Sequence, residues 1–243
     1  MKQEYEKYTP IDHDTWNKLF TRQVANIQDK ASTEYLESLE KINPVLNGGA
    51  IPRFDDLSAF LLKETGWTIE VVPGLIPVED FFALLAQKKF CSSTWIRKPH
   101  QLDYLEEPDM FHDIFGHTPL LVHPIFSAFM ERFGQVGHSL RHEPELIIAL
   151  QRLYWFTIEF GLQGTADEPR IYGAGILSSF GETNHVWERT KNPLEFDLGS
   201  IFTHLFRTDV IQEDYYLLPS FEELFESFES WSASKNLISK KRA

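Results

Sequence analysis

His112 and His117 lie five residues apart in Pro108-Asp-Met-Phe-His-Asp-Ile-Phe-Gly-His-Thr-Pro119. Imidazole nitrogens suit divalent transition metals, so metal binding is the first chemistry to consider. On an ideal α-helix that spacing puts the rings roughly 140° apart around the axis. Both can face one ion only if the helix ends between them, and Gly116 is placed to end it. Taken bare, the spacing is weak in a chain with nine histidines, and one core plus one surface histidine is the bland alternative. A two-histidine, one-carboxylate centre needs an acid as its third ligand. Glu159 is the candidate, inside the almost wholly apolar run Tyr154-Trp-Phe-Thr-Ile-Glu-Phe-Gly-Leu162. Burying a lone carboxylate there costs on the order of several kcal/mol, so it needs a partner. A cation such as Fe(II) would serve; so would an arginine, or a position facing water.

Other chemistries fit less well. A zinc peptidase wants H-E-x-x-H, but here the spacing is five and Asp113 follows the first histidine. No G-x-S-x-G is present for a nucleophilic serine. Cys91 has no histidine neighbour and reads as a small core hydrophobe. Gly173-Ala-Gly175 lacks the third glycine and the preceding strand of a dinucleotide fingerprint.

The elements that must position these groups read as mostly helix with a little strand. Apolar spacing predicts helices over 11–28, 31–42, from Phe54 to a stop at Gly66, 79–88, 124–137, 143–162 and 220–231. Thr68–Val72 alternates like a strand, and Leu205–Leu218 suggests two short strands around Arg207-Thr208-Asp209. Residues 90–105 read as extended or irregular and 164–175 as loop. Pro108 and Asp109 open a short helix before the histidines.

The 243 residues, 42% apolar and 14% aromatic, suffice for one packed domain spanning 1–243, with no linker, repeat or low-complexity stretch to divide it. A net charge of −13 disfavours nucleic acid. Lys240-Lys241-Arg242 reads as a solvated end. No apolar run is long enough for a membrane span, and MKQEYEKYTP has no secretory core. A lone cysteine excludes an internal disulfide framework and points to a reducing, cytoplasmic setting.

Three segments in order, P-D-x-F-H-D-I-F-G-H-x-P-L-L, Y-W-F-T-I-E-F-G-L and Y-G-A-G-I-L-S-S-F-G-E, resemble the pterin-dependent aromatic amino acid hydroxylases. Val72-Pro-Gly-Leu-Ile-Pro77, Ile96-Arg97 and Leu102–Asp109 are similar to the bacterial branch that acts on phenylalanine. So are Trp16–Gln23 and Ile51-Pro-Arg-Phe54, and the resemblance spans roughly 8–230. It implies a catalytic domain of that family's fold, and a monooxygenase using Fe(II), a tetrahydropterin (tetrahydrobiopterin or a relative) and O2 to convert L-phenylalanine to L-tyrosine. His112, His117 and Glu159 match the family's iron ligands. Arg97 matches the residue that binds the substrate carboxylate. Pro108 and Trp155 match lining of the ring pocket. Ser178 matches a serine at the substrate site that also hydrogen-bonds a ligand histidine. Phe81 matches the aromatic stacked on the pterin, with Gly74 and Ile76 in the neighbouring pterin loop. Asp113 falls close to the pterin and Tyr154 near the iron. Asp109 and Glu182 fall just behind the ligands.

Where animal members have a pterin-contacting histidine, this chain has Cys91, and the segment around Arg207–Asp214 is a few residues short. Neither a regulatory domain nor a C-terminal heptad helix is recognisable, so a monomer is expected. Hydroxylation of tryptophan, or of phenylalanine at C3, is the alternative within the class. A zinc-dependent hydrolase or an inactive binding module is the alternative outside it.

Overall fold

A capping box starts the first helix, α1 (Pro10–Ile27). The Thr9 hydroxyl accepts from the Asp12 N–H, and the Asp12 carboxylate accepts from the Thr9 N–H. The computed structural model describes residues 1–103, 107–189 and 192–235. The basic run Lys240–Arg242 lies outside the described residues, as do residues 104–106 of the segment leading to the histidines. Trp16, Leu19, Gln23 and Ile27 form the buried stripe of α1 at helical spacing. Ser32 caps α2 (Thr33–Ile42), and α3 (Phe54–Glu64) follows.

The strand expected at Thr68 is β1 (Thr68–Val71). It pairs in parallel with β2 (Lys89–Ser92), and α4 (Val78–Leu85) makes the crossover. The inner face of α4 packs on α5 (Pro124–Ser139) at unusually short range. A Cβ at Gly137 would stand 2.2 Å from a Phe82 ring carbon, and one at Gly134 would stand 2.4 Å from the Ala86 backbone nitrogen. Backbone cannot step aside as a side chain does. Gly134→Ala is therefore expected to destabilise the protein by about 2 kcal/mol and lower its thermal midpoint by about 4–8 °C. An unchanged melt would contradict so close a contact.

Next come α6 (Pro144–Tyr154) and the hairpin of β3 (Leu162–Gly164) with β4 (Pro169–Ile171). The chain continues through α7 (Ala174–Leu177), α8 (Phe180–Arg189), β5 (Leu194–Glu195), α9 (Leu198–Thr203), β6 (Tyr216–Leu218) and α10 (Phe221–Ser234). The second sheet runs β4-β3-β6-β5. Two expectations fail here. Residues 164–175 are not all loop, because Gly164 at φ +111° turns the chain into β4. Leu205–Leu218 holds one strand, not two; residues before Tyr216 pack through side chains instead of a ladder.

Long-range hydrogen bonds fix the parts that matter for the site. The Tyr35 hydroxyl, on α2, donates to the Phe115 carbonyl at 2.6 Å. Gln23, on α1, donates to the Leu177 carbonyl at 2.7 Å and to the Thr183 hydroxyl at 2.9 Å. Both donors are buried, so each bond is made without competition from water. No helix among the described residues is long and apolar enough to cross a membrane.

Candidate metal centre

Asp109 sets the entry to the histidine segment. Its Oδ1 accepts from the His112 N–H at 3.1 Å, which caps the turn that starts at Met110. The helix does not end at Gly116, contrary to the sequence reading. Residues His112–His117 form a π-helical turn. Its i→i+5 bonding widens the helix and brings residues five apart toward one face. Gly116 serves a different purpose. A Cβ there would stand 2.8 Å from the Ala174 carbonyl oxygen, so glycine lets α7 close on the turn. Glu159 is also delivered by a π turn, Trp155–Glu159, which extends α6.

The three side chains converge. His117 Nε2 is 3.1 Å from His112 Nε2 and 3.1 Å from Glu159 Oε1, and His112 Nε2 is 3.6 Å from Glu159 Oε2. One donor atom from each lies within 4.8 Å of the others. Burial pushes the His112 ring down to about 4, against the pull of Glu159. Burial also acts to raise the Glu159 carboxyl, but His117 and His112 outweigh it and hold the group below its usual range. The result at neutral pH is a neutral imidazole and a carboxylate, the states in which these groups ligate metals. Ser178 completes the His112 arrangement. Its hydroxyl donates to the Ala174 carbonyl at 2.8 Å, so at 2.9 Å it accepts from His112 Nδ1–H. That leaves the Nε2 lone pair facing Glu159 and His117. Two imidazole nitrogens and one carboxylate oxygen, crowded together with no lysine or arginine between them among the described residues, suit a divalent cation such as Fe(II).

Above the three donors opens a cavity of about 340 Å³. It is largely apolar, with Val72, Val78, Phe82 and Phe133 in its wall. Pro108, Asp113, Tyr154 and Trp155, all anticipated, line it, and so do Gly74, Ile76 and Phe81. The Phe81 ring meets Tyr154 edge-on at 5.2 Å. Gly74 has φ +157°, which glycine adopts without strain. A flat heteroaromatic ring such as a pterin fits a slot of this size and aromatic lining. Burial pushes the Asp113 carboxyl up to about 7 even though it accepts from the Ser93 N–H at 2.9 Å.

Four anticipated residues stand behind the cavity instead of lining it: Arg97, Asp109, Ser178 and Glu182. Arg97 and Asp109 form a buried bidentate pair, Nε to Oδ2 at 2.9 Å and Nη2 to Oδ1 at 2.8 Å. Glu182 is buried, its Oε2 has no partner among the described residues, and burial pushes its carboxyl up to about 7. Cys91 is not the core hydrophobe it resembles in sequence. It lines the cavity, with burial pushing its thiol up to about 12, so it stays protonated at neutral pH. Ser93, Phe206 and Gln212 were not anticipated. Ser93 follows Cys91 at strand spacing, which is a usable signal. Phe206 and Gln212 sit in an irregular segment; the sequence reading flags the stretch around Arg207–Asp214, which contains Gln212, but singles out neither residue.

Fold and site together define a cluster of two histidines and one carboxylate, spaced to suit one metal ion, under an aromatic-lined cavity. The model of the biopterin-dependent aromatic amino acid hydroxylase family matches residues 4–241, and the chain belongs to that family. A phenylalanine-4-hydroxylase from Ralstonia nicotianae is 44% identical over 228 residues, covering 93% of this chain and 72% of that protein. Phenylalanine hydroxylase from Chromobacterium violaceum with bound iron(III) and 7,8-dihydrobiopterin superposes with a TM-score of 0.88 at 39% identity, covering 98% of this chain and 87% of that one. The form of that enzyme with iron and phenylalanine gives 0.86 at 38% identity, covering 98% and 88%.

Proposed function

We propose that this chain hydroxylates L-phenylalanine to L-tyrosine with O2, at a centre formed by Fe(II) and a tetrahydropterin. One observation carries the reading: in a chain of this family, the two histidines and Glu159 converge at one end of an aromatic-lined cavity. His112, His117 and Glu159 would hold iron at the end of the cavity. Iron and pterin supply the oxygen activation; the protein supplies binding, orientation and exclusion of water.

Phe81, Ile76 and Gly74 hold the pterin, with Asp113 beside it. Tyr154 keeps His117 stacked, its ring 6.1 Å from the imidazole. Pro108 and Trp155 hold the substrate ring. Arg97 lies behind the cavity wall, with Nε and Nη2 held by Asp109, and its remaining arm, Nη1, is the one left to take the substrate α-carboxylate when substrate binds. Ser178 and Asp109 orient His112 and Arg97 from behind, and Glu182 belongs to the same buried layer. A single cysteine suits a reducing compartment, and we take a cytoplasmic monomer as the working form.

Arg97→Lys is expected to raise the phenylalanine KM at least about tenfold, because an ammonium cannot serve Asp109 and the substrate with one planar fork. An unchanged KM refutes the role. The whole reading is tested by loading the protein with Fe(II) or Zn(II) and adding tetrahydropterin, air and phenylalanine. Tyrosine with iron alone supports it. A zinc form that hydrolyses amide or ester substrates, with an iron form that makes no tyrosine, overturns it.

A further inference from the structure

We propose that Gln212 is a positioning residue of the substrate pocket: its carboxamide holds the Trp155 indole at one angle, so that Trp155 and Phe206 stand as one stacked wall. The proposal rests on the reading of Trp155 as part of the phenylalanine site.

Trp155 begins the π turn that delivers Glu159, so its backbone is fixed with the metal centre. Its ring has neighbours on several sides. The Phe206 ring stacks on it at 4.5 Å and 17°, and the Phe160 ring lies 4.5 Å away at 37°. The indole N–H donates to Gln212 Oε1 at 3.0 Å. Gln212 is only 7% exposed and cannot swivel freely. Its Nε2 donates to the Asp214 carbonyl at 2.8 Å, and its own carbonyl accepts from the Tyr215 hydroxyl.

The ends of this segment are tied together. His204 Nδ1 lies 2.9 Å from the Tyr216 hydroxyl, its Nε2 lies 3.4 Å from Asp214 Oδ2, and its ring stacks on Phe156 at 4.6 Å. Between those ties Leu205 is 75% exposed, and Arg207 pairs with Asp209 at the surface. The inward business of the segment is therefore to bring Phe206 and Gln212 to one indole. Phe206 and Trp155 both line the cavity. A slot of fixed width accepts a phenyl ring more readily than an indole, and releasing the indole N–H lets that wall tilt.

The test uses the iron-loaded enzyme with tetrahydropterin. Gln212→Met removes the acceptor at similar volume. It is expected to raise the phenylalanine KM about tenfold, with the pterin KM within about twofold, and to lower the preference for phenylalanine over tryptophan about fivefold. Gln212→Glu keeps an oxygen for the indole but loses the donor to the Asp214 carbonyl, so its phenylalanine KM is expected to fall between those of wild type and Gln212→Met. In a Trp155→Phe background, which has no indole N–H, Gln212→Met is expected to add less than about twofold. Equal rises in both KM values, or a full effect in that background, overturn the proposal. If Gln212→Met does not fold, Phe206→Leu probes the same wall; an unchanged phenylalanine KM overturns the proposal. Wild-type enzyme that forms no tyrosine overturns the functional reading, and this one with it; an active wild type with an unaffected Gln212→Met overturns this one alone.

Discussion

His117→Ala is expected to lose iron on gel filtration and to form no measurable tyrosine. Its Nε2 lies within 3.1 Å of both other donors, so its removal leaves two ligands and a gap. Loss of a partner behind a ligand typically costs about 10–100-fold in metal affinity or activity. Ser178→Ala should fall in that range, and His117→Ala well beyond it. The His117 ring also packs at 4.9 Å from Phe90, so alanine opens a small void as well. His117→Gln fills that space and separates the two effects: it should melt near wild type yet still lose iron. Measured iron per chain decides the matter. A variant with a full complement of iron and full turnover would remove His117 from the ligand set.

The second large effect is on stability. Asp109 is fully buried and Arg97 is 4% exposed, and the pair shares two hydrogen bonds. Asp109 also accepts from the Arg97 and His112 backbone N–H groups. Asp109→Ala strands a buried guanidinium and two donors together. Breaking a buried pair from one side costs about 3–5 kcal/mol, so the thermal midpoint should fall by about 10 °C or more. Asp109→Asn keeps an acceptor and should lose less. Thermal melts of the metal-loaded proteins read both. An alanine variant melting within a degree or two of wild type would show that the pair contributes little.

The chemistry of single residues raised the question of a metal site, and the resemblance of three ordered segments, not the bare spacing, pointed to the three side chains that converge. A glutamate among Trp155, Phe156, Ile158 and Phe160 asks for a partner without naming it; in the structure the two histidines stand beside it. The helices were readable because their buried faces repeat at helical spacing, as in α1 and α10. The turn that joins the histidines was not. Period 3.6 sets them apart, and nothing local in His-Asp-Ile-Phe-Gly-His announces a π turn. The widening is held from elsewhere, by Tyr35 on the Phe115 carbonyl and by α7 against Gly116. The same holds for β3 and β4, three residues each, too short for alternation to register. Gln212 was invisible because a glutamine in an irregular stretch gains meaning only from the indole it meets.

The most direct test of the account is a competition assay. The Fe(II)-loaded protein receives a tetrahydropterin, air and equal phenylalanine and tryptophan, and products are identified by mass and retention time. Tyrosine is expected as the main product, formed only when iron and pterin are both present. Hydroxytryptophan or meta-tyrosine as the main product, or none from protein that retains its iron, would contradict it.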